Sequence, residues 1–163
     1  YKEFISILRE RGILLLSDEI YRGLEMNEED RLPAGADLYE NAISLSGLAK
    51  VYGLAGLRMG WVATRNEKVL SLLKKQKDYT TICNPIITEW LAALALRHGS
   101  KIIQRNCDIV KSNIEVFENF LSRHSELFSW VRPKGGTMGF AYRRDRQSLE
   151  PFCEHLLKQE GLM

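Results

Sequence analysis

The 163-residue chain is 45% hydrophobic and 27% charged, an ordinary globular composition with length for one large domain or two small ones. A formal net charge of +2, with the basic residues scattered, gives no ground for a nucleic-acid or anionic-membrane surface. Cys83, Cys107 and Cys153 are widely spaced and lack CxxC geometry, so they read as reduced thiols of a cytoplasmic protein, and no apolar run reaches membrane-spanning length.

The chain opens on an amphipathic pattern, residues 1–11, with Tyr1, Phe4, Ile5 and Leu8 on one face and Gly12 as its stop. The apolar run 13–16 predicts a buried parallel strand. Residues 22–40 are acidic and irregular, with Pro33 and Gly35, and read as a surface loop. Residues 42–46 predict a second buried strand, 47–57 a glycine-rich loop and 57–65 a third strand. From Glu67 the period changes to that of a helix running to about Tyr79. A second helix opens near Asn84–Pro85 and closes at Gly99. Its Leu/Ala stripe predicts a core helix, with an oligomer interface as the alternative.

A long helix follows from Ser100 to about His124, with Ile103, Val110, Ile114, Phe117 and Leu121 as its stripe. An antiparallel strand pair is expected around Pro133–Gly136, then a last helix with Ser148 as N-cap and Pro151 in its first turn. The order predicts an α/β layer over residues 1–97 and a smaller α+β piece, with its bridging helix, over 98–163. Both ends look cut. His98, His124 and His155 share no ligand spacing with the cysteines, so no metal site is expected.

Two stretches carry chemistry. In "SDEIY", Asp18 and Tyr21 follow a parallel strand at its carboxyl end, where α/β proteins place ligand contacts. A carboxylate there is expected to be half-desolvated and in want of a proton donor or cation. Taken alone, so short and common a pattern reads rather as Asp18 and Glu19 capping the following turn, with Tyr21 packed. The second stretch, "SLSGLAKVYGLAGLRMGW", sets Lys50 and Arg58 in apolar, glycine-rich surroundings. Burial disfavours an ammonium, so a lysine enclosed there is suited to imine formation with an aldehyde. An arginine keeps its charge and needs an anion. Ser44 and Ser46 add hydroxyl donors. Amine, guanidinium and hydroxyls together describe a site for an aldehyde phosphate, of which pyridoxal phosphate is the common one.

Asp18 and Tyr21, a strand ending in serine, and then Lys50-x-x-Gly53-Leu54-x-Gly56-x-Arg58-x-Gly60 resemble fold-type I pyridoxal-phosphate enzymes, specifically class I/II aminotransferases. The family motif is close to S-x-[SG]-x-x-K-x-x-G-L-x-G-x-R-x-G, and "PKGGTMGF" at 133–140 resembles that family's small-domain strand entry. The resemblance implies a mostly parallel sheet with helices, part of the cofactor-binding large domain, over residues 1–97, and a bridging helix with part of the small domain over 98–163. It implies pyridoxal 5'-phosphate as cofactor. Lys50 is the implied Schiff-base residue and proton shuttle, Asp18 the partner of the ring nitrogen and Tyr21 that of the ring's 3-oxygen. Arg58 is the implied phosphate ligand, with Ser46 its hydroxyl partner.

There are departures from the motif. Gly47 and Ala49 stand where relatives carry serines, and Met138 where phenylalanine is common. The family's second phosphate loop, its stacking ring, its asparagine and its substrate-carboxylate arginine are not found. Arg132, Arg143, Arg144 and Arg146 lie outside that last motif and read as solvated. The implied activity is transfer of an amino group from an amino acid to a 2-oxo acid by a homodimer, with this chain a truncated, carboxyl-terminal portion inactive alone. A β-lyase or decarboxylase of the same fold, or an aminotransferase-like effector domain of a transcription regulator, are the alternatives.

Overall fold

The structure is a computed structural model that describes residues 1–145 and 147–162; Arg146 lies outside the described residues. The chain divides into two compact units, Tyr1–Asn113 with Pro133–Thr137, and Ile114–Arg132 with Met138–Met163.

The first unit is built on a three-stranded sheet in the order β1-β2-β3, formed by Leu15–Asp18, Ala42–Gly47 and Gly60–Thr64. β1 and β2 are parallel, with Ser17 opposite Ser44 and Asp18 opposite Leu45, whereas β3 returns antiparallel to β2. Helix α1, Lys2–Glu10, buries Ile5 and Leu8 against Tyr39 and Ala42, and Gly12 ends it in the left-handed conformation at φ +63°. Phe4 and Tyr1 stay exposed, so the apolar face that is covered is narrower than its sequence pattern.

Three features differ from their sequence-based expectations. β1 is not enclosed: it is an edge strand, and Leu14 and Leu16 are exposed. Among the described residues nothing covers that face. Residues 22–40 are not all surface, because Leu24 and Tyr39 are fully buried and the short helix α2, Gly35–Leu38, packs on β2. The Tyr39 hydroxyl anchors this segment by donating to the Ile13 carbonyl at 2.9 Å. Helix α4, Ile86–Arg97, buries only its small side, Ala92 and Ala95, and exposes Ile86, Ile87 and Trp90. Its stripe is apolar, but periodicity does not say whether a partner surface covers it.

Helix α3, Glu67–Thr80, follows β3 and is capped by Asn66, whose side chain accepts from the amides of Lys68 and Val69. Helix α5, Gly99–Arg123, starts directly after α4. In the first unit its Ile103 lies against Gly23 beside Val51. Residues 133–137 run back along residues 24–26, where Met26 N–H donates to the Lys134 carbonyl at 2.8 Å and Gly136 N–H to the Leu24 carbonyl at 2.9 Å.

In the second unit, the end of α5 carries Ile114, Phe117 and Leu121 on the covered side. Strands β4, Phe128–Trp130, and β5, Ala141–Arg143, form the antiparallel pair, and Phe117 meets Trp130 edge-on at 5.0 Å. Helix α6, Leu149–His155, follows Ser148, which occupies the N-cap position without a side-chain cap bond. The arginines here have protein partners. Arg132 pairs with Glu118 at 2.8 Å, Arg143 lies over the Phe152 ring and pairs with Asp145, and Arg144 Nε donates to the Ser125 carbonyl at 2.7 Å.

Candidate functional site

The carboxyl ends of β1 and β2 supply the first candidates. Glu19 N–H donates to the Leu45 carbonyl at 2.8 Å, which extends the parallel pairing one residue past Asp18. Asp18 Oδ1 accepts from the Ile20 amide at 3.1 Å, and this local bond starts the turn that follows. The turn brings Tyr21 back beside Asp18, and both line a cavity of about 290 Å³ with Ser17, Arg22, Gly135 and Gly136. Gly136, at φ +86°, lies against the Tyr21 ring.

A second cavity, of about 270 Å³, is lined by Asp18, Ile20, Ser46, Ala49, Arg58 and Met59, among others. Three candidates, Asp18, Ser46 and Arg58, therefore share one concavity, and Asp18 also lines the first. Ser46 Oγ donates to the Glu19 carbonyl at 3.4 Å. Ser44 is not available as a ligand donor. It is buried, donates to Glu19 Oε1 at 2.7 Å and accepts from the Ala36 amide at 3.0 Å.

Lys50 sits on a loop closed by its own main chain. Leu48 N–H donates to the Met59 carbonyl, Leu54 N–H to the Leu48 carbonyl and Gly53 N–H to the Lys50 carbonyl, at 2.9–3.0 Å. Leu48 and Val51 are fully buried and pin the loop, while Lys50 between them is exposed. The expectation of an enclosed lysine is thus corrected: Leu48 and Val51 turn inward and the cation between them turns out. Lys50 is not among the residues lining either cavity, although Ala49 beside it lines the second. Asp18 is likewise exposed rather than half-desolvated. Arg58 holds a left-handed backbone, φ 51° and ψ 38°, and its Nη1 donates to the Ala55 carbonyl at 3.2 Å. A non-glycine residue in that region is strained, and such strain clusters at ligand-binding loops.

The first cavity's far wall carries charge. Glu25 is held below the ordinary carboxylate range: burial raises it, but the Gly23 amide and Arg31, 2.9 Å away, together lower it more. Asp30 is lowered by its hydrogen bond from Lys134 at 2.7 Å, and Lys134 is raised by the same bond. Burial pushes the Cys107 thiol up, which suits an inert thiol. Among the described residues, no three His, Cys, Asp or Glu side chains gather as a metal site would require, and no helix is long and apolar enough to cross a membrane.

Two supporting residues escaped the sequence patterns. Glu19 is read there as a turn cap, yet its carboxylate bonds to β2 and α2. Asn106 of α5 donates from Nδ2 to the Val51 carbonyl at 2.8 Å and so ties the Lys50 loop to that helix. Nothing in a helical stripe marks a half-buried asparagine as a clamp.

The family model described as "Aminotransferase class I and II" matches residues 1–163. A solved structure of a PLP-dependent aminotransferase from Streptococcus suis superposes with a TM-score of 0.90 at 33% identity, covering 99% of this chain and 42% of that one. The aspartate aminotransferase of Thermococcus kodakarensis is 25% identical over 95% of this chain and 40% of its own length. Capreomycidine synthase of Streptomyces vinaceus is 24% identical over 99% of this chain and 41% of its own. The chain thus spans about two fifths of the length of these relatives.

Proposed function

The chain belongs to the class I and II aminotransferase family, and we propose that it carries the lysine-bearing part of a pyridoxal-phosphate-dependent aminotransferase. The reaction is transfer of an amino group from an amino acid to a 2-oxo acid. The observation that carries this is the shared lining of one cavity by Asp18, Ser46 and Arg58, which come from β1, β2 and the loop before β3. The donor set fits the group. A guanidinium and a hydroxyl suit a phosphate dianion, and a carboxylate suits a protonated ring nitrogen.

Bound pyridoxal phosphate supplies an electron-accepting ring that stabilises negative charge at the substrate's Cα. The protein does the rest. Asp18 holds a proton at the ring nitrogen, and Tyr21 donates its phenol to the ring's 3-oxygen. Arg58 and Ser46 hold the phosphate. Lys50 Nζ would carry the covalent attachment and, once free of it, would move a proton between the substrate's Cα and the cofactor's C4′. Residues 1–97 serve as part of the cofactor-binding domain, and 98–163 as the bridging helix and part of the small domain.

The complete enzyme is a homodimer in this proposal, and the exposed Ile86, Ile87 and Trp90 of α4 offer apolar area for such contact. The three unpaired cysteines suit a reducing, cytoplasmic setting. With Lys50 exposed, this chain alone holds the cofactor weakly and does not turn over. A second reading, in which the same lysine serves a lyase, decarboxylase or cyclising enzyme, stands beside it because one of the relatives is named a synthase and not an aminotransferase. The test uses a full-length polypeptide that contains this chain, loaded with pyridoxal phosphate and offered amino acids with 2-oxoglutarate. Glutamate formation supports transamination, and release of ammonia or carbon dioxide without it supports the second reading.

A further inference from the structure

Glu19 stands between Asp18 and Tyr21 and is bonded to five residues, one of them Arg22 of its own turn, whose amide donates to the Glu19 carbonyl at 2.9 Å. Its Oε1 accepts from the Gly35 amide and from the Ser44 hydroxyl, each at 2.7 Å. Its own amide donates to the Leu45 carbonyl at 2.8 Å, and its carbonyl accepts from Ser46 Oγ at 3.4 Å. Ser44 is buried at 5% exposure and also accepts from the Ala36 amide, so the carboxylate closes a network joining β1, β2 and α2. Asp18, by contrast, is exposed, and the local bond from the Ile20 amide does not tie it to another element.

We propose that Glu19 is a positioning residue for cofactor binding: its carboxylate fixes the main chain at residue 19, so that Asp18 on one side and Ser46 on the other face the same cavity. A carboxylate is suited to this task, because one anionic oxygen accepts two short charge-assisted bonds without needing a proton. A simple turn cap would bond only to nearby main chain. Here the side chain reaches across to residues of two other elements.

This inference rests on the assignment of Asp18 to the ring nitrogen, and its test separates the two. The full-length polypeptide is prepared as wild type, E19A and S44A, with pyridoxal phosphate as the probe. Three quantities are read: the dissociation constant for the cofactor, the pH midpoint of its visible absorption, and exchange of the Gly35 amide in the cofactor-free protein. In E19A, which removes both side-chain bonds, Gly35 exchange is expected to quicken and cofactor binding to weaken, each by more than the roughly tenfold change that loss of one such bond corresponds to. The pH midpoint rises, because a ring nitrogen less firmly protonated leaves the lysine-bound imine more basic.

S44A, which removes one of the two side-chain bonds, moves all three in the same direction by less, and it serves if E19A does not fold. The proposal is overturned if Gly35 exchange quickens while the cofactor's affinity and pH midpoint stay at wild-type values, since Glu19 would then be structural only. A wild type that gives no cofactor absorption at all overturns the functional proposal itself.

Discussion

Replacing Asn106 with alanine should loosen the Lys50 loop without unfolding the sheet. Asn106 is half-buried and its Nδ2 gives the Val51 carbonyl a 2.8 Å bond. Losing a bond of this kind costs about 1–1.5 kcal/mol, because the carbonyl it leaves is only partly reachable by water. The loop's other ties, from Gly53 N–H to the Lys50 carbonyl and from Leu54 N–H to the Leu48 carbonyl, are local and open together with it. Amide exchange at Gly53 and Leu54 should therefore quicken about tenfold, since each 1.4 kcal/mol is a factor of about ten. Exchange in α3 should not change. Hydrogen exchange followed by mass spectrometry or NMR reads both. Unchanged rates at residues 53 and 54 would refute the clamp, and equal acceleration across α3 would show global loss of stability instead.

The fully buried Leu48 predicts that L48A costs about 2–5 kcal/mol, seen as a fall in Tm of roughly 5–15 °C. At Gly60 an added Cβ would lie 2.9 Å from the Ser46 carbonyl, so G60A should cost about 1–3 kcal/mol by forcing β3 off β2. The control is G56A, where nothing lies within 4 Å of the added Cβ, and its Tm should stay near wild type. Glu25 has a folded-state pKa below its unfolded one, so it stabilises the protein above the ordinary carboxylate range and ceases to as pH falls through it. Wild type should accordingly exceed E25Q in denaturant stability at neutral pH, with the gap closing below about pH 4.

Much of the framework was legible from residue order. The apolar run before Asp18 reads as a strand because branched and aliphatic residues cluster there, and it does pair in parallel with β2. Gly12 marks the end of α1, where the left-handed backbone favours a residue without a side chain. Burial was not legible in the same way. Leu16 and Trp90 are as apolar as Leu48, but periodicity states which face is greasy, not what lies against it. The same limit explains Lys50, whose neighbours Leu48 and Val51 are buried while its own side chain is exposed.

Within the site, the spacing of Asp18, Tyr21, Ser46 and Arg58 picked out residues that line two cavities sharing Asp18. The role of Glu19 was hidden, since an acidic residue after a strand satisfies a turn cap just as well. It emerges only once Gly35 and Ser44, far apart in sequence from Glu19, are brought to its carboxylate.

The attachment of the cofactor to Lys50 is the claim on which the rest depends. Borohydride reduction of the full-length polypeptide in the presence of pyridoxal phosphate, followed by peptide mass mapping, tests it directly. The pyridoxyl group is expected on the peptide containing Lys50 and is expected to be lost in K50A. Label on another lysine, such as Lys111 or Lys134, or equal labelling of K50A, would contradict it.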